Sequence, residues 1–339
     1  MKNSRSRPAL IASLITLLLT GCATTPDRVQ TPITNPVLDS NFPDPTLIKA
    51  SDGYYYAYAT QGEVRGQMHN IQAARSRDLA TWEQLGDALP QKPVWASRTQ
   101  DFWAPHVAEH DGRFYLYYSA KPDIALEDGK SGLCLAVATA DAPKGPFRDI
   151  GKPLQCGDGF INIDPMSYDD PASGKRLLYW GSGFGPIKVR ELAADRISFK
   201  ADAPVIDLVP VIANEDPANY QRLVEGAWVV RRDGYYYLFY SGDNCCGPKA
   251  HYAVMVARSR SAIGPFETLA QATGKKNSVI LKADKKWIAP GHNSIIEDAS
   301  GRSLIVYHAI NIEQSRESDR EEVNSRRVML LAEIHWRDG

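Results

Sequence analysis

The sequence predicts an all-β fold, a five-bladed β-propeller. Three observations predict it. One strand–turn–strand pattern occurs five times, the five copies are evenly spaced, and helical periodicity is scarce. The matching positions are Asp44, Ala104, Asp164, Glu225 and His292, at steps of 60, 60, 61 and 67 residues. A period longer than that of short solenoids, with a hairpin signal in every unit, suits propeller blades. A β-sandwich would need five turns to fall at that spacing by coincidence.

Before the first copy stands a targeting segment. Lys2, Arg5 and Arg7 precede a short apolar run from Ala9 to Thr20, too short to span a bilayer as a helix. Leu19-Thr20-Gly21-Cys22 then resembles a bacterial lipobox, whose Cys becomes the lipidated first residue. The expected organisation is a signal peptide over 1–21, lipidated Cys22 with a Thr- and Pro-rich tether over 22–38, and the propeller over 39–339. Ala23, in place of Asp, resembles lipoproteins sorted to an outer membrane. The expected location is that membrane or the periplasm-facing side of the envelope.

The first blade reads Phe42-Pro43-Asp44-Pro45, an apolar strand, the turn Asp52-Gly53, then Tyr54 to Tyr58. The second has Trp103-Ala104-Pro105, the turn Asp111-Gly112 and Phe114 to Tyr118. The third has Ile163-Asp164-Pro165, Ser173-Gly174 and Leu177 to Trp180. The fourth has Val224-Glu225-Gly226-Ala227, Asp233-Gly234 and Tyr235 to Tyr240. The fifth has Gly291-His292-Asn293-Ser294, Ser300-Gly301 and Leu304 to His308. Each Gly-containing turn joins two strands of one blade. Third strands are legible at Leu133–Thr139 and Tyr252–Ser259, each leading to a Gly-Pro-Phe turn.

The charge balance is 39 Lys+Arg against 40 Asp+Glu, with no basic stripe, so nucleic acid is not an expected partner. Among the cysteines beyond Cys22, export permits a Cys134–Cys156 bridge between neighbouring strands and a vicinal Cys245–Cys246 bridge, with free buried thiols as the alternative. No Cys-x-x-Cys with paired His suggests zinc. The chain is expected to act as a monomer.

The first strand of each blade lies nearest the propeller axis, so equivalent positions converge on one face of the channel. Three of the five carry carboxylates: Asp44, Asp164 and Glu225. Crowded carboxylates raise at least one pKa, which a general acid needs at neutral pH. Two carboxylates across a sugar ring can hydrolyse a glycosidic bond.

At these residues the chain resembles glycoside hydrolase family 43, over about residues 35–337. Phe42-Pro43-Asp44-Pro45, Ile163-Asp164-Pro165 and Val224-Glu225-Gly226-Ala227 resemble that family's motifs in blades one, three and four. The resemblance implies an inverting enzyme in which Asp44 activates water, Glu225 protonates the leaving group and Asp164 tunes the acid. It implies the wider acid–base spacing, roughly 6.5–9.5 Å. Trp103-Ala104-Pro105 and Trp180-Gly181-Ser182 match further family stretches, Phe42 and Trp103 stand next to axial positions, and Arg327 matches a basic position nine residues before Trp336, so Phe42, Trp103, Ser182, His292 and Arg327 are expected at the substrate.

Pro290-Gly291-His292-Asn293-Ser294 with Tyr307-His308 is most similar to arabinan-cleaving members, which implies a calcium ion beside His292, held largely through water. The expected substrate is plant cell-wall arabinan or arabinoxylan, with water as co-substrate. A β-xylosidase of the same family and a non-catalytic glycan-binding lipoprotein are the alternatives.

Overall fold

Five antiparallel sheets follow one another along the unit from Thr31 to Gly339 and form the blades of a propeller. The structure, a computed structural model, describes residues 32–125, 132–316 and 326–337, together with Met1. Cys22, the apolar run before it, most of the expected tether and residues 126–131 lie outside the described residues. Among the described residues no helix is long and apolar enough to cross a membrane.

Blade one contains Thr46–Lys49, Tyr55–Ala59, Gln72–Ser76 and Glu83–Gln84. Blade two contains Phe102–His110, Arg113–Ala120, Cys134–Ala140 and Arg148–Asp149. Blade three contains Met166–Asp169, Arg176–Trp180, Ile187–Glu191 and Ile206–Val209. Blade four contains Val224–Arg232, Tyr235–Asn244, His251–Ser259 and Glu267–Thr268. Blade five is formed by Trp287–Glu297, Ser303–Asn311 and Arg327–Glu333. The turns between first and second strands are those read from the sequence. At Asp111-Gly112 and Asp233-Gly234 both residues have positive φ, as a type I′ hairpin turn requires.

Tyrosines in the second strands strap each of the first three blades to the next. Tyr58 donates its hydroxyl to Pro143 O at 2.5 Å, Tyr117 to Arg196 O at 2.8 Å and Tyr179 to Ala262 O at 2.6 Å. All three are almost fully buried, and a buried Tyr hydroxyl needs such a partner. At the matching place in blade four stands Phe239, which packs edge-on against Trp336 instead.

The ring closes through its two ends. Val37 N donates to Met329 O at 3.0 Å, Asn35 Nδ2 to Leu331 O at 2.8 Å, and Phe42 N to Arg327 O at 2.8 Å. Residues 35–38 therefore pair with blade five, so the propeller begins a few residues before the expected boundary at 39. The reason is that the last strand, Arg327–Glu333, would otherwise leave an unpaired edge.

The closure also corrects one expected substrate contact. Phe42 is fully buried among Val37, Leu47, Leu304 and Met329, because the closing segment turns its ring into the seam between blades one and five.

Candidate active site

The inner strands share a local irregularity. The ladder slips by one residue between Trp103 and His106, between Glu225 and Trp228, and between Gly291 and Ser294. One residue of each blade takes a left-handed backbone there: Asp44 (φ 57°), Ala104 (47°), Asp164 (57°), Gly226 (59°) and His292 (48°). Such bulges re-aim side chains, and two successive residues then face the same side. Non-glycine residues bear a cost of roughly 1–2 kcal/mol each in this conformation, which concentrates strain around the axis.

This backbone pattern corrects the repeat by one place in blade four. The structural equivalent of Asp44 and Asp164 is Gly226. Glu225 is the equivalent of Pro43, Trp103, Ile163 and Gly291. Because the bulge presents both positions to the same opening, the three carboxylates still meet. A cavity of about 780 Å³ is lined by Asp44, Asp164, Glu225, Trp103, His292 and Arg327 among others.

A second polar ring lies behind the first. Thr60, Ser119, Gly181, Ser241 and His308 pair across the sheet with Pro43, Trp103, Ile163, Glu225 and Gly291. Ala104 N donates to Thr60 Oγ1 (2.8 Å), His292 N to Ser241 Oγ (2.8 Å) and Asp44 N to His308 Nδ1 (3.0 Å). Each of these bonds ties one blade to its predecessor. Blade three has Gly181 at this place and no side chain to offer, so Gly226 N donates to Asp164 Oδ2 at 2.9 Å.

That substitution also displaces an expected contact. Ser182 follows the pairing residue and is fully buried beneath the site, away from the cavity. Trp103, His292 and Arg327 do reach the cavity.

Asp44 sits at the closure seam. Its Oδ2 accepts from Thr60 Oγ1 at 2.5 Å, and its Oδ1 accepts from Arg327 Nη1 at 3.0 Å. Burial alone would raise its pKa, but the Arg327 guanidinium holds it well below the usual carboxylate range. His308 Nδ1 accepts the Asp44 backbone N–H, so it carries no proton to donate to the carboxylate. Burial drives the His308 pKa to about 4 and lowers that of His292, which leaves both rings neutral. Arg327 is thus the fixed cation beside Asp44.

Glu225 has the opposite environment. Burial raises its pKa to about 7, opposed by the hydrogen bond that Tyr252 donates to Oε1 at 2.7 Å and reinforced by the negative charge of Asp44. Asp164 is raised as well, by burial and then by Glu225. The charge of one therefore bears on the titration of the other. One carboxyl kept neutral near pH 7 beside another kept ionised is the division of labour that acid–base hydrolysis of an acetal requires.

Tyr252, Thr60, Phe160 and Phe184 shape the site without having been singled out from the sequence, and His308, noted there only within Tyr307-His308, joins them. Thr60 and His308 belong to the repeated polar position behind the bulge, a signal that the repeat itself carries. Tyr252 has no such signal. It enters from a third strand, and its ring fits because Gly291 lacks a side chain: a Cβ there would lie 2.0 Å from it.

Among the described residues no three His, Cys, Asp or Glu side chains gather as a metal cage. His292 Nδ1 lies 3.6 Å from Asp44 Oδ1 and 3.8 Å from Asp164 Oδ2. The residues present therefore fit a calcium ion only as a largely hydrated one, with an imidazole as a protein ligand. Buried Asn293, whose amide oxygen and nitrogen have no partner among the described residues, adds an orphaned polar group to the same strand.

A five-bladed propeller with buried, oppositely tuned carboxylates at its axial cavity defines a glycosidase. The profile of "Glycosyl hydrolases family 43" matches residues 33–339, and the chain belongs to that family. It is 27% identical over 314 residues to the extracellular exo-alpha-(1->5)-L-arabinofuranosidase ArbA of Cellvibrio japonicus, covering 87% of this chain and 84% of the relative. It is 28% identical over 331 residues to the beta-D-galactofuranosidase xynD of Aspergillus niger, covering 91% and 87%. A solved thermostable family-43 glycoside hydrolase superposes with a TM-score of 0.70 at 26% identity, covering 91% of this chain and 94% of the other.

The three carboxylates support a charge test. Asp164→Asn keeps an oxygen for the Gly226 N–H and removes one negative charge. The second proton of the Asp164–Glu225 pair leaves late because the first departure has already made the pair negative. In the variant Glu225 titrates without that neighbour, so the alkaline limb of the pH–rate profile should shift toward acid by about one unit. A pH profile of kcat/KM checks this; an unmoved limb would show that the charge of Asp164 does not bear on Glu225.

Proposed function

We propose that this glycosidase cleaves α-L-arabinofuranosidic bonds in arabinan or arabinoxylan with inversion of configuration. The observation that carries the reading is the contrast between Asp44, held ionised by Arg327, and Glu225, held protonated by burial. Asp44 takes a proton from water as it attacks the anomeric carbon. Glu225 gives its proton to the departing glycosidic oxygen, and Asp164 adjusts the proton affinity of Glu225 while binding the Gly226 amide. Trp103 offers an aromatic face to the C–H side of the sugar.

The names of two relatives support a five-membered ring in the cavity, since one is an arabinofuranosidase and the other a galactofuranosidase. The test is hydrolysis of debranched arabinan and of 4-nitrophenyl α-L-arabinofuranoside and β-D-xyloside, with the anomer of the first product followed by NMR. Preference for the xyloside would replace arabinose with xylose. A retained anomer would make Asp44 a nucleophile. Binding of arabinan without hydrolysis would favour a glycan-binding lipoprotein.

A hydrated calcium ion beside His292 belongs to the proposal as added positive charge near the axis. No step depends on it, and metal analysis of the purified protein tests it. The protein is further proposed to act as a monomer, exported and held to a membrane by lipid on Cys22. The extracellular Cellvibrio relative agrees with export. Cys22→Ala should move the enzyme from the membrane fraction to the soluble fraction with its activity intact; a variant that stays in the membrane would need another anchor.

A further inference from the structure

Beyond Asp243 the second strand of blade four runs out over the rim of the cavity and returns as His251–Ser259, with Asn244 opposite His251. The loop between them carries adjacent, half-buried Cys245 and Cys246, bonded to each other. Both line the cavity, together with Arg222, Lys249 and His251. The loop is already fastened without that bond. Asn244 Nδ2 donates to Cys246 O at 2.9 Å and Ala250 N to Gly247 O at 3.1 Å. At its base Arg222 donates to the Asp243 carboxylate, and His251 Nδ1 meets the same carboxylate at 2.5 Å. Tyr220 stacks on His251 with centroids 4.2 Å apart.

A covalent bond between neighbours closes no long loop, so its contribution to chain entropy is small. Its effect is local. Two thiols become one fixed, polarizable, apolar ridge at the cavity surface, flanked by groups that can hydrogen-bond hydroxyls. That is the composition of a sugar-binding wall: an apolar face for C–H groups, with polar groups at its margin.

The position fixes which sugar it meets. Glu225 pairs with Ser241 in the strand that leads into the loop, and it accepts from Tyr252 in the strand that leads out. Cys245 packs with Tyr252, Ala289 and Ile310. The acid must face the departing oxygen, so the residue attached to that oxygen passes along this hairpin. We propose that the Cys245–Cys246 disulfide is the contact surface for the leaving-group sugar, and that it sets the enzyme's preference for oligosaccharides over glycosides without a second sugar. This rests on Glu225 being the acid.

The experiment compares wild type with the Cys245→Ser/Cys246→Ser variant on two substrates. One is linear α-1,5-arabinotriose. The other is α-L-arabinofuranosyl fluoride, whose leaving group fills no further subsite. The expected result is a loss of about tenfold in kcat/KM on the trisaccharide, carried by KM, with the fluoride changed less than about twofold. Should the variant fail to fold, wild type treated with a phosphine, with reduction of the 245–246 bond followed by peptide mass, gives the same comparison. Equal losses on both substrates would mean a general disturbance of the site, a trisaccharide loss carried by kcat would mean the loop only positions Glu225, and an unchanged trisaccharide would mean it touches nothing; each overturns the proposal. So do two free thiols at 245 and 246 in the native protein. Wild type inactive on both substrates would instead remove the underlying assignment of arabinoside hydrolysis, and this contact with it.

Discussion

Replacing Glu225 with alanine should lower hydrolysis of an arabino-oligosaccharide by about 10²–10⁴-fold, the range of general acid–base assistance, yet leave a dinitrophenyl arabinofuranoside much less affected. A poor leaving group needs the proton; an activated phenolate departs without it. Asp44→Ala should be equally damaging on both, because water attack is common to the two. The environments of the two groups support this split. Glu225, with its pKa pushed up to about 7, holds a proton to give. Asp44, bonded by Thr60 and Arg327, is ionised and able to take one. The measurement is kcat/KM for wild type and both variants on both substrates. Equal sensitivity of the two variants to the leaving group would remove Glu225 as the acid.

Arg327→Leu should cost about 3 kcal/mol of stability at neutral pH and move the acid limb of the pH–rate profile upward. Asp44 and Arg327 are both largely buried, with side chains 12% and 15% exposed. Without the guanidinium, burial is left as the main influence, and it raises the carboxyl. The sign then follows. In wild type the folded pKa of Asp44 is depressed, so its contribution to stability is present above the unfolded value near 4 and fades as pH falls through the folded pKa. In the variant the folded pKa lies above the unfolded one, so the folded state binds its proton more tightly. The gap in stability between the two proteins should therefore be widest near neutrality and shrink under acid. Arg327→Lys keeps the charge and should retain most of the wild-type acid limb. Denaturant midpoints across pH and kcat/KM profiles check both; a gap that widens under acid would show that Arg327 does not act through Asp44.

Much of this protein is written locally. The Asp-Gly and Ser-Gly turns, the Tyr-rich second strands and the even spacing of Asp44, Ala104, Asp164 and His292 each depend on short-range backbone chemistry, and they announce five blades. The carboxylates are legible for the same reason, since a repeat with a known axial position turns distant residues into neighbours. The one-place offset at Glu225 escaped because a bulge changes which residues face the axis without changing their order. Gly226 is the visible trace of it.

The sequence by itself determined the blade count, the three carboxylates and the family resemblance, because these rest on periodicity and on residue identity. The tertiary structure alone decided what surrounds them. Residues 35–42 close the ring against Arg327–Glu333, which sets Arg327 beside Asp44 and buries Phe42 in the seam. Gly181 leaves a gap that Asp164 fills, and Gly291 leaves one that admits Tyr252 to Glu225. These contacts join residues hundreds of positions apart or depend on a missing side chain. They arise only when the ring closes and the blades pack, and that closure determines which carboxylate is ionised and which keeps its proton.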